Sequence, residues 1–233
     1  MPQNVRLTSM VERLPIALLA AVVGWWLGWA TARLTEYLQT GDDTPAKLPI
    51  PGVRALLIRD PIVQGASALV WAVIPFVVPG DGWRWAATGL LAVPYIQVAV
   101  TDFRTRYVYT VIAGIGLAIG LAVGWQVHGG EWWTSVAGAA GGFAFLGFFY
   151  LFGRLYVRIR HLGDVEAMAS GDITIAAMVG AGSAACAPSA LFDGMLMGGV
   201  LALGVWIIRR SARGTMPFGP GLCLGGLATL FWC

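Results

Sequence analysis

Charged side chains are scarce in this sequence. Only 12% of its 233 residues are charged and 58% are hydrophobic, whereas soluble domains carry about 25% charged residues. This composition excludes a water-soluble globule. It also excludes a disordered chain, because disorder requires low hydrophobicity and high net charge, and the net charge here is +3. So small a net charge indicates no nucleic-acid partner.

Cysteine and histidine are also rare. Cys186, Cys223 and Cys233 are too few for a disulfide scaffold, and two of them lie in apolar runs. The histidines, His128 and His161, stand in separate predicted loops with no other histidine near them. The sequence therefore predicts no metal site.

Long apolar runs dominate the chain, and about 20 residues of helix are needed to cross a bilayer. The sequence thus predicts an all-α polytopic bundle of about eight transmembrane helices, in a single domain over residues 1–233. The boundary between the sixth and seventh helices rests only on Ala187-Pro188-Ser189. The predicted spans are Leu14–Ala32, Ile62–Pro79, Trp85–Thr101, Val108–Trp125, Trp132–Gly153, Ile173–Pro188, Ala190–Ile208 and Pro217–Trp232.

The basic residues orient these spans. With the N-terminus outside, only Arg6, Arg13 and Arg84 of the 15 Lys and Arg residues fall in extracytoplasmic connections. Cytoplasmic loops of membrane proteins are enriched in Lys and Arg. We therefore expect a multi-pass protein of the cytoplasmic membrane with both termini outside. Residues 34–61 and 154–171 are then cytoplasmic loops.

Glycines recur at a spacing of four within two of the predicted spans. Gly116, Gly120 and Gly124 share one helix face, and Gly138 and Gly142 share another. Small residues at this spacing let transmembrane helices approach closely. We expect these glycines to have a packing role.

Two carboxylates stand at the cytoplasmic edge of the membrane. Asp102 ends the third predicted span and Asp172 begins the sixth. Carboxylates at such depth are costly and are functional candidates by default. There are simpler interpretations: Asp172 could stabilise a helix N-terminus, and Asp102 could pair with Arg104 or Arg106.

Five segments in order along the chain resemble the type IV prepilin peptidases, the membrane aspartic proteases with a GxGD motif. The first is VVGWWLGWATARL, and the second is Arg59-Asp60-Pro61-Ile62-Val63 before an apolar run. Asp102-Phe103-Arg104-Thr105 is similar to the segment with the family's first catalytic aspartate. Ala169-Ser170-Gly171-Asp172 occupies the place of its Gly-x-Gly-Asp, and Pro217-Phe218-Gly219-Pro220 is similar to the start of its last helix.

The resemblance implies an eight-helix aspartic endopeptidase that cleaves the leader from prepilin-like or pseudopilin-like precursors at the cytoplasmic face. It implies that Asp102 and Asp172 are the catalytic pair and that Gly171 is the motif glycine, which permits unusual dihedral angles there. Arg104 and Asp164 are possible substrate-binding residues. The peptidase step is expected to need no metal or cofactor. The oligomeric state stays open.

The sequence also departs from the family. Ala169 replaces the first motif glycine, and Thr174 stands in place of a lysine. The Gly163-Asp164 pair competes for the motif, but polar residues follow it rather than an apolar helix. The first cytoplasmic loop is short and lacks the cysteine-rich zinc segment, so methylation with S-adenosylmethionine is not assigned. The alternative functions are a small transporter or channel and a catalytically silent assembly protein for a pilus or secretion machine.

Overall fold

The computed structural model describes residues 3–40, 61–105, 110–161, 169–209 and 218–233. Over these ranges the regular structure is entirely helical, with eight α-helices and one 3₁₀ turn. The helices are α1 (Gln3–Thr40), α2 (Pro61–Val77), α3 (Gly82–Thr105), α4 (Thr110–Val127), α5 (Trp132–Ile159), α6 (Ser170–Ser183), α7 (Ala187–Arg209) and α8 (Gly219–Trp232).

Over the described residues, each predicted span overlaps mainly with one of these helices. Among the described residues, five segments are long and apolar enough to cross a membrane, and one of them, Ser170–Gly204, contains α6 and most of α7. Helices α2 and α8 are apolar but shorter. The chain is therefore a polytopic α-helical membrane protein, as predicted, while the number of eight membrane crossings stays a prediction.

The helices form two compact units, Met1–Gln97 and Val98–Cys233, with α3 contributing to both. In the first unit, α1 packs against α2 through glycines. A Cβ added at Gly24 would lie 2.6 Å from the carbonyl oxygen of Ser67, and one at Gly28 would lie 3.1 Å from the Cα of Gln64. Glycine on α1 is what permits this close approach of two backbones.

A polar contact also joins helices inside the first unit. The Gln97 side-chain amide donates a hydrogen bond of 3.2 Å to the Thr35 hydroxyl, which in turn donates to the Thr31 carbonyl oxygen. Buried polar groups are stabilised by such pairing. These contacts give Gln97 a role in helix packing.

Helix α6 lies at the centre of the second unit, where it packs against α4, α5, α7 and α8. Its residues from Ile175 to Ser183 are all buried. Four of the five predicted glycines face it: Gly120 and Gly124 pack on Ala181 and Gly182, and Gly138 and Gly142 pack on α6 carbonyl oxygens. The predicted packing role of these four glycines is confirmed.

The break between the sixth and seventh helices lies earlier than predicted. Helix α6 ends at Ser183, the 3₁₀ turn covers Ala184–Cys186, and α7 begins at Ala187. Pro188 is therefore the second residue of α7. Proline is favourable in a first helical turn because the N–H it lacks has no partner within the helix there.

Two helices continue beyond their predicted spans into the polar sequence that follows. α1 reaches Thr40 and α5 reaches Ile159, so parts of the predicted loops 34–61 and 154–171 are helical. Hydropathy locates the segment that faces lipid, not the end of the helix. Leu, Glu, Gln and Arg after the apolar run favour helix and let it continue.

Candidate active site

Asp102 and Asp172 are both buried within the second unit. Asp102 lies in the last turn of α3 and is 4% exposed, and Asp172 is the third residue of α6 and is 6% exposed. The apolar interior of a protein disfavours an isolated charge. Two carboxyl groups held in such a setting are unusual and require an explanation.

The fold brings these two carboxyl groups together. They are 70 residues apart in the sequence, but each lies within electrostatic range of the other. Where two carboxyl groups interact strongly, protons are bound by the pair rather than by either residue alone. This is the juxtaposition that the sequence analysis predicted.

The simpler interpretation of Asp172, that it stabilises the N-terminus of a helix, is supported in part. The N-cap of α6 is Ala169, and its backbone N–H donates a hydrogen bond to the Asp172 carboxyl group. A carboxylate in the first turn of a helix is also stabilised by the helix dipole. These interactions explain how a carboxyl group is tolerated here, but they do not explain why a second one is buried beside it.

Helix α8 supplies a neighbour that the sequence analysis did not assign to the site. A Cβ added at Gly219 would lie 2.5 Å from the Oδ2 atom of Asp102 and 2.8 Å from the Cδ1 atom of Ile175. The space next to the Asp102 carboxylate therefore depends on glycine at this position. The signal was present in Pro217-Phe218-Gly219-Pro220, which was recognised only as part of the resemblance.

Cys223 is a second neighbour that the sequence analysis missed. It lies four residues after Gly219, on the same face of α8, and is fully buried. Both Asp102 and Asp172 lie within electrostatic range of its thiol. Nothing in the apolar sequence around Cys223 distinguished it from a packing residue.

Comparison with known proteins identifies the family. The model of the type IV leader peptidase family matches residues 88–206, a range that contains both aspartates. The chain belongs to the type IV leader peptidase family. One similar protein is the type 4 prepilin-like proteins leader peptide-processing enzyme of Escherichia coli O78:H11 (strain H10407 / ETEC). It is 28% identical over 174 residues, which cover 74% of this chain and 61% of the relative. The chain thus spans about three fifths of that relative's length, and no solved structure matches it.

The structure describes the other predicted site residues of this leader peptidase family member only in part. Gly171 precedes Asp172 within α6, and it is not among the glycines with a positive φ, Gly80 and Gly129. The backbone of Gly171 is helical, so its conformation does not itself require glycine. The backbone of Arg104 lies in α3, whereas its side chain, Arg106 and Asp164 fall outside the described residues.

A second group of chemically reactive side chains lies at the other end of α6. Cys186 and Cys233 form a disulfide with Cα atoms 6.5 Å apart, and His128 lies beside them. The proximity of His128 to these two cysteines was not predicted from the sequence. At 1.5 Å per residue, α6 separates this group from the aspartates by about 20 Å.

Proposed function

We propose that the protein is a membrane aspartic endopeptidase with Asp102 and Asp172 as its catalytic pair, and that it cleaves the leader peptide of type IV prepilin-like precursors at the cytoplasmic face. The observation that carries this proposal is the burial of both carboxyl groups within electrostatic range of each other. The family and the relative's name supply the substrate class.

The chemistry requires one carboxyl group to be ionised and the other protonated. The ionised group takes a proton from water, and the protonated group donates to the oxygen of the scissile carbonyl. The tetrahedral intermediate then collapses as a proton passes to the leaving amine. Two interacting carboxyl groups provide these states together, because close like charges disfavour ionisation of both.

Two independent features support a cytoplasmic position for the aspartates. Under the topology predicted above, 12 of the 15 Lys and Arg residues lie on the cytoplasmic side. The Cys186–Cys233 disulfide lies at the opposite end of α6 from Asp172, and disulfides persist in oxidising compartments outside the cytoplasm. Both features support a position outside the cytoplasm for the disulfide and on the cytoplasmic side for the carboxyl pair.

One part of the substrate would lie in the bilayer and another part in the cytoplasm. A prepilin-like precursor carries an apolar helix directly after its cleavage site, as the family resemblance implies. That helix would lie in the membrane beside the bundle, with the leader on the cytoplasmic side. The scissile peptide then lies at the depth of the last turn of α3 and the first turn of α6.

Co-expression of a prepilin-like precursor with the wild type, Asp102→Asn or Asp172→Asn tests the proposal. Each asparagine variant preserves side-chain shape and removes the ionisable group, so we expect leader cleavage to be lost in both at normal membrane levels. Asp193→Asn, which alters a half-buried aspartate of α7, is the matched control and should cleave normally. Full cleavage by both site variants would refute the proposal and favour a transporter or an assembly protein.

A further inference from the structure

Three side chains with metal-binding atoms converge at the end of α6 that is remote from the aspartates. His128 follows α4, Cys186 lies in the 3₁₀ turn and Cys233 follows α8, so three separate segments contribute. One nitrogen or sulfur atom from each lies within 4.8 Å of the other two. We call these three residues the outer cluster.

We propose that the outer cluster, once its disulfide is reduced, binds one thiophilic divalent cation such as Zn²⁺. Two thiolates and one imidazole are a donor set that zinc favours, with the fourth position left for water. The proposal concerns this end of the unit alone and does not depend on the peptidase activity.

The spacing of the donor atoms suits such a cation. Zn–S bonds of about 2.3 Å and Zn–N bonds of about 2.0 Å place tetrahedral ligand atoms roughly 3.3–3.8 Å apart. The donor atoms of the outer cluster lie within 4.8 Å, so binding requires only small side-chain movements. The two sulfur atoms must separate after reduction. Cys233 is exposed and follows the last residue of α8.

The burial of the other two ligands supports binding. His128 and Cys186 are half-buried, which limits their motion and reduces the number of conformations lost when a cation binds. Cys186 is held in the turn between two long helices. His128 and Cys186 would therefore be in position before a cation binds, and Cys233 would move to complete the site.

The reaction balances with an external reductant. A phosphine gives two electrons to the S–S bond, takes oxygen from water to become the phosphine oxide, and leaves two thiols. The cation then displaces one proton from each thiol as the two S–Zn bonds form. Because the same sulfur atoms make either bond, the disulfide and the bound cation exclude each other. Both states tie α8 to the turn between α6 and α7.

Zinc titration of the full-length protein tests the proposal. The protein is purified in detergent with an affinity tag that contains no histidine, and it is compared before and after phosphine reduction. Bound zinc is measured by competition with a chromophoric chelator and by elemental analysis. Cys223→Ala and His161→Ala are the matched controls, because each removes a residue of the same type outside the outer cluster.

We expect one tightly bound Zn²⁺ per reduced chain and none per oxidised chain, with both controls unchanged. Cys186→Ser should abolish tight binding, and His128→Ala should weaken it at least tenfold. Thermal unfolding of each variant shows whether it is folded. If the reduced wild type retains no more zinc than folded Cys186→Ser, or if folded His128→Ala binds as tightly as the wild type, the proposed site is wrong.

Discussion

Replacing Gly219 with alanine tests whether α8 positions the carboxyl pair. The added Cβ would lie 2.5 Å from the Asp102 Oδ2 atom, whereas ordinary contacts begin at 3.4 Å. The Asp102 carboxylate would therefore have to move by about 0.9 Å, or α8 would have to shift. Misplacing a reacting group by about 1 Å costs on the order of 100-fold in rate, which corresponds to about 2.7 kcal/mol of activation free energy.

The assay is single-turnover cleavage of a purified prepilin-like precursor in detergent, with enzyme in excess. We expect the rate constant of Gly219→Ala to fall about 100-fold, with a stability loss of about 1–3 kcal/mol from overpacking. Gly199→Ala is the matched control, because a Cβ at this exposed position of α7 meets no atom within 4 Å. It should retain the wild-type rate.

A rate for Gly219→Ala within threefold of the wild type would refute the reasoning, provided that Asp102→Asn is inactive in the same assay. Such a result would show that the carboxylate tolerates the displacement. If Asp102→Asn were itself active, the proposed function would fail instead. The two outcomes are therefore distinguishable.

Three further predictions concern packing, titration and the thiols. Gly142→Ala should lower thermal stability by about 1–3 kcal/mol because its Cβ would overlap the Ala176 carbonyl oxygen, whereas Gly141→Ala, with open space around it, should not. The pH dependence of kcat/KM should rise and then fall, because cleavage needs one protonated and one ionised carboxyl group; a profile with a single limb would contradict the paired mechanism. Denatured, unreduced protein should react with one maleimide, at Cys223, and reduced protein with three; three before reduction would argue against the disulfide.

The helices and the two aspartates were predictable from the sequence for a physical reason. A helix that crosses a bilayer must be long enough and apolar, so long apolar runs in the sequence indicate helices. The same constraint makes a carboxylate at a span end conspicuous, and it singled out Asp102 and Asp172. Two of the five segments of the family resemblance contain the same two residues.

The neighbours of the pair were not predictable in the same way, because they depend on how helices pack. Gly219 and Cys223 lie in an apolar run that reads as ordinary membrane helix, and only the docking of α8 brings them to Asp102. Likewise, His128 and Cys186 are 58 residues apart, and no local pattern joins them. Hydropathy describes each helix alone and carries no information about which faces meet.

The two ends of the second unit are linked by helices of matched length. From Asp172 to Cys186 is 14 residues along the chain, and from Gly219 to Cys233 is also 14. At 1.5 Å per residue each stretch rises about 21 Å, so α8 meets Asp102 at one end and Cys186 at the other. Sliding α8 by one turn would break both contacts, because a turn rises 5.4 Å. The position of α8 along its axis is therefore fixed at both ends. The outer cluster holds α8 at the position where Gly219 leaves room for the Asp102 carboxylate.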